Sequence, residues 1–163
     1  MNKRHTISVL VENNSGALSR ISGLFSARGY NIASLSVSAT EDHGVSRMTI
    51  VALGDDAIIE QITKQLNRLI DVIKVLDFKD KESVDRELMV ATIQATHKIR
   101  HEIVSLLDIY NGKILSVSNR SLVIEVSERS DVLDDFIAII SPYGIREIAR
   151  SGPVALAKPK MNE

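Results

Sequence analysis

Two places in the sequence gather residues whose types and spacing could do chemistry. The first is the turn Asn13-Asn14-Ser15-Gly16, lying between an alternating apolar run from His5 to Val11 and an apolar-faced segment over 17–28. Asn and Ser favour helix starts because their side-chain oxygens accept the unpaired N–H groups of the first turn. Gly16 leaves the backbone bare where those groups point outward, so a small anion can reach them. The Asn13 and Asn14 amide oxygens can accept from an ammonium group. The chemistry expected of this turn is reception of a small-molecule carboxylate. The same four residues also make a good cap and turn that needs no ligand, and both readings stand at this level.

The second place is His97 and His101, four apart on a helical stretch and followed by Glu102. Such a pair can share a metal, but no third ligand has a clear position and nothing resembles HExxH, so two surface histidines are expected. Asp55-Asp56 and Asp134-Asp135 fall at or near helix starts, where carboxylates complement the helix dipole rather than form a catalytic dyad. No phosphate loop, GxSxG or dinucleotide fingerprint occurs. The chain has no Cys, which excludes disulfides, thiolate catalysis and Cys-bound zinc.

These residues must be positioned by a chain of 163 residues, 44% apolar and 25% charged, enough for one ordinary domain or two small ones packed together. A formal net charge of −1 gives no general pull toward nucleic acid or an anionic membrane. The apolar run at the start is too short for a signal peptide or a membrane span, so a cytoplasmic location is expected.

Strand-like alternation at His5 to Glu12 is followed by a helix over Ala17 to Arg28, with Gly29 placed for a left-handed cap. Asn31 to Thr40 alternates, with Ala33, Leu35, Val37 and Ala39 on one side and Ser34, Ser36, Ser38 and Thr40 on the other. Ser46 to Leu53, a helix capped at Gly54-Asp55-Asp56, and Val72 to Phe78 complete strand-helix-strand-strand-helix-strand. This order predicts the ferredoxin-like arrangement, with the second strand at a sheet edge. The charge run Lys79-Asp80-Lys81-Glu82-Ser83 marks a boundary, after which the order repeats without obvious sequence identity. Predicted is an α+β chain of two ferredoxin-like (βαββαβ) domains, 1–79 and 84–163, with a loose tail from Pro153.

Function classes can be tested against this frame. A hydrolase of acylphosphatase type would want an Arg in the first strand-helix loop to grip phosphate, and that loop is uncharged after Glu12. Arg20 lies one turn inside the helix, where a solvated position is expected. An RNA-binding module of this order needs aromatics on its middle strands, and aromatics are only 4% of the chain. Small-ligand sensing and protein association remain. If two copies joined their second-strand edges, the helix-start turn of one would lie close to Asn31 of the other, and a ligand there would alter association.

The run Glu12-Asn13-x-x-Gly16-x-Leu18-x-Arg20, with Arg28-Gly29-Tyr30-Asn31-Ile32-x-Ser34-Leu35, resembles the amino-acid-binding ACT domain. With Ser46-Arg47-Met48-Thr49, Val84-x-Arg86-Glu87-Leu88 and Glu147-x-Ala149-Arg150-Ser151-Gly152, it resembles the regulatory small subunit of acetolactate synthase along essentially the whole chain. Ser116 departs from the Asp usual there. The resemblance implies a subunit with no catalytic residues, metal site or cofactor of its own. It implies a partner: a thiamine-diphosphate-dependent catalytic subunit, the holder of any Mg and FAD. It also implies valine feedback in branched-chain amino-acid synthesis, and a homodimer through ACT domains. By motif match the effector site falls on Asn13, Asn14, Ser15, Gly16, Ala17 and Leu18 of one protomer and on Asn31 and Ile32 of another. A free-standing amino-acid sensor acting on a different enzyme is the alternative.

Overall fold

The computed structural model describes residues 3–78 and 83–159. The chain divides into two compact units, one running to Asp85 and rejoined by the segment from Val154, the other Arg86–Pro153. The charge run at 79–82 expected as the boundary lies outside the described residues.

In the first unit the elements are β1 (Lys3–Glu12), α1 (Ala17–Arg28), β2 (Asn31–Ala39), β3 (Val45–Gly54), α2 (Asp56–Leu66) and β4 (Val72–Phe78). The sheet order is β2-β3-β1-β4, antiparallel throughout, so the expected ferredoxin-like layout holds and β2 is an edge. Alternation sends Ile7, Val9 and Val11 of β1 and Met48, Ile50 and Ala52 of β3 to one face. There they meet Ile21 and Phe25 of α1 and Ile59, Ile62 and Leu66 of α2. Gly29 ends α1 at φ +65°, and Tyr30 N–H donates back to the Phe25 carbonyl. Asp55 caps α2 by accepting from Ile58 N–H at 2.9 Å, as its position suggested.

The strict alternation expected over Asn31 to Thr40 is broken. A bulge between Ile32 and Ser34 turns Ile32 toward the core and leaves Asn31, paired with Leu53, on the other side. One extra residue reverses the facing of everything on one side of it.

The second unit repeats the plan with β5 (Ser83–Gln94), α3 (Arg100–Ile109), β6 (Lys113–Val117), β7 (Ser121–Glu128), α4 (Ser130–Ile140) and β8 (Ile145–Arg150), ordered β6-β7-β5-β8. Its core joins Met89, Ala91 and Ile93 to Ile103, Leu107, Leu133 and Phe136. Its edge strand β6 bulges between Ile114 and Ser116, at the point equivalent to Ile32 and Ser34. Both strands read Ile-x-Ser there, a trace of repetition between halves that otherwise lack obvious sequence identity. The tail expected to be loose instead forms β9 (Val154–Ala157), where Ala155 N–H lies 3.4 Å from Thr49 Oγ1 of β3.

Two motifs far apart in sequence meet inside the second unit. The Glu87 carboxylate, 4% exposed, accepts from Arg150 Nε and Nη2, each at 2.8 Å, and from Ser130 Oγ at 2.6 Å. Arg150 Nη1 reaches Asp134, so this aspartate, expected to serve the helix dipole, is instead an ion-pair partner. Burial pushes the Glu87 carboxyl up, but the hydrogen bonds from Arg150 and Ser130 outweigh it and hold it below its ordinary value. Arg150→Met would leave that carboxylate buried without a counter-charge. It should destabilise the fold by about 2–3 kcal/mol, below the range for a fully buried pair because Arg150 is 26% exposed. Urea unfolding would show the lowered midpoint, and Glu87→Leu with Arg150→Met should recover most of it. An unchanged midpoint in the single variant would mean the pair contributes nothing.

Candidate functional site

The turn between β1 and α1 is tied down on two sides. Glu12 N–H donates to the Asp71 carbonyl at 2.8 Å, and Asn13 N–H donates to the Gly44 carbonyl at 2.7 Å. Asn13 Nδ2 donates to the His43 carbonyl and Asn14 Nδ2 to Glu12 Oε2, at 3.0 and 2.8 Å. Those bonds use the amide nitrogens and leave both Oδ1 atoms facing away as acceptors. Asn13, Asn14, Ser15 and Gly16 are exposed, Ala17 is buried beneath them, and Leu18 is 42% exposed.

No Asn or Ser side chain caps the helix, contrary to expectation. Gly16 itself holds the cap position at φ +90°. Ala17 N–H reaches the Asn14 carbonyl and Arg20 N–H the Gly16 carbonyl. The amides of Leu18 and Ser19 find no i−4 carbonyl, as the first turn of any helix requires, and stay open to water or a ligand. The missing side-chain cap therefore keeps the donors available.

Arg20 is exposed, as expected, but it is also paired. Its Nε and Nη2 donate to Asp71 Oδ2 and Oδ1 at 2.5 and 2.9 Å, and the Asp71 side chain is only 8% exposed. This two-point fork fastens α1 to the connection between α2 and β4. The hydrogen bonds from Arg20 hold the Asp71 carboxyl below its ordinary value, and those same bonds raise Arg20. A signal for this was available. Residues four apart share a helix face, and side chains lean toward the N-terminus, so Arg20 had to lie over Gly16. Asp71 had no comparable signal, being 51 residues away.

Asn31 and Ile32 are not brought to the turn within one chain. Glu12 pairs with Val45 at one end of β3, and Asn31 pairs with Leu53 near the other end. Eight residues of strand separate these points, about 26 Å at ~3.3 Å per residue. Among the described residues no group of three metal-ligating side chains gathers. A cleft of about 860 Å³ opens among Lys3, His5, Asp56, Glu60, Lys64 and Asp77, and contains none of the expected site residues.

Residues 7–74 match the family model described as the AHAS small subunit-like ACT domain, and 86–159 that of the small subunit of acetolactate synthase. The acetolactate synthase small subunit of Mycolicibacterium smegmatis is 46% identical over 94% of this chain and 91% of its own length. The chain belongs to the acetolactate synthase small-subunit family. The small subunit of Haemophilus influenzae is 44% identical over 98% of both chains. The crystal structure of the Thermotoga maritima acetolactate synthase small subunit superposes with a TM-score of 0.88 at 34% identity, covering 97% of this chain and 99% of that one. No described helix of the chain is long and apolar enough to cross a membrane.

The Arg20–Asp71 pair predicts a pH dependence. Because the folded-state value of Asp71 is depressed, its contribution to stability is complete above the ordinary carboxylate value of about 3.9 and is lost as pH falls through the lowered value. The stability difference between wild type and Asp71→Asn should therefore be largest near neutrality and shrink below pH 4. Urea midpoints of both proteins from pH 7 to pH 3 measure it; a difference independent of pH would show that the pair is energetically idle.

Proposed function

We propose that the chain is the non-catalytic regulatory subunit of acetolactate synthase. In this reading it activates a separate thiamine-diphosphate-dependent catalytic subunit in the cytoplasm and confers feedback inhibition by valine in branched-chain amino-acid synthesis. Thiamine diphosphate, Mg and FAD belong to that partner. The observation that carries the reading is the match to small subunits along nearly the whole chain, with a bare glycine turn in the ACT half.

The effector occupies a junction between two copies. Antiparallel pairing of two β2 edges about Leu35 would set Asn31 of a second copy opposite Ala39, which pairs with Ser46 at the turn's end of the sheet. That pairing supplies the second half of the site, which a single chain keeps about 26 Å away. Open amides at the start of α1 receive the carboxylate, Asn oxygens the ammonium group, and aliphatic side chains such as Leu18 and Ile32 the branched side chain. An effector acts only through different affinities for two states, so valine favours a dimer arrangement that activates the catalytic subunit less.

Calorimetric titration of the purified chain should show valine binding, and adding the chain to catalytic subunit should raise its turnover. Gly16→Asp, which sets bulk and like charge against the carboxylate, should abolish the response. Gly16→Ala strains the left-handed backbone by about 1–2 kcal/mol without adding charge and should weaken it less. Unchanged valine affinity in Gly16→Asp would place the effector elsewhere. Binding without stimulation of the catalytic subunit would favour a free-standing sensor. Reciprocity further requires valine affinity to differ between the free chain and the activated complex.

A further inference from the structure

We propose that Arg20, through Nη1, takes the carboxylate of the effector amino acid over Gly16, making it a binding residue as well as a fastener of the turn; this rests on the effector reading above. Two of the three guanidinium nitrogens are committed to Asp71, so the plane of the group is fixed and its third corner has a definite place. That place is over the glycine. A Cβ built on Gly16 would lie 3.2 Å from Nη1 and 3.7 Å from Cζ. The space any other side chain would fill is therefore the space beside a held cation. Arg20 remains 47% exposed, so an incoming ligand can reach it.

Charge bookkeeping selects the ligand. Asp71 is turned inward and nearly buried, and it cancels the formal charge of Arg20 without offering its oxygens to solvent. A neutralised fork suits one carboxylate of a zwitterion better than a phosphate dianion, which would need uncompensated positive charge. The loop that looked uncharged in sequence thus carries a guanidinium delivered from one turn into the helix. A charge-assisted bond of this kind discriminates strongly against a ligand that cannot accept it.

The test compares valine with valinamide, which keeps the ammonium group and the side chain but lacks the carboxylate. Titration of the full chain should give valine the tighter binding. Arg20→Gln should weaken valine by about tenfold, the equivalent of ~1.4 kcal/mol, and leave valinamide almost unchanged, so that the ratio collapses. If Arg20→Gln does not fold, Arg20→Gln with Asp71→Asn removes both charges together and the same ratio is read. Equal weakening of both ligands would reduce Arg20 to a structural role and overturn the proposal. An unchanged ratio would overturn it too. Failure of the wild-type chain to bind valine at all would overturn the effector reading beneath it.

Discussion

The position of β1 in the middle of its sheet constrains everything else in the first unit. A strand-helix-strand crossover returns the chain parallel to β1 but one strand removed, so β3 fits between β1 and β2 and β2 is left at the edge. The helix-start turn then leaves from one end of the central strand, while Asn31 begins the edge strand at the opposite end. Strand length makes that separation rigid. In the proposed reading, a site that uses both halves is built by two chains, with the edge of β2 as the means of building it.

Two ion pairs act as fasteners, and their settings differ with their tasks. Glu87 and Arg150 join motifs 63 residues apart, and two carboxylates and the Ser130 carbonyl engage the guanidinium through Nε, Nη1 and Nη2. A buried charge satisfied in that way has its hydrogen-bonding capacity committed within the fold. Arg20 and Asp71 also join distant segments, yet one corner of the guanidinium is left over and exposed beside a glycine without a side chain. The difference lies in the unused hydrogen-bonding capacity.

The second unit shows the same fold with a different helix start. Its strand order and edge bulge repeat those of the first. Between β5 and α3, however, it has Ala95-Thr96-His97-Lys98 in place of a glycine turn, and Ile99 caps the helix in an ordinary right-handed conformation. Arg100 Nη2 closes this connection by donating to the Ala95 and Ser118 carbonyls at 3.2 and 2.7 Å. The same architecture thus closes one helix start and leaves the other open.

Local rules made much of this legible in the sequence. Apolar period, caps and the six-element order determined both ferredoxin-like layers, the Gly29 and Asp55 caps and the β2 edge, because each depends on neighbours a few residues apart. The turn at Gly16 was visible for the same reason, and Arg20 over it would have followed from helical spacing. The Asp71 and Arg150 pairings, the bulge at Ile32 and the strand formed by Val154–Ala157 were decided only in three dimensions. Each depends on partners dozens of residues away, whose meeting is set by the packing of whole sheets and not by any local preference of the residues themselves.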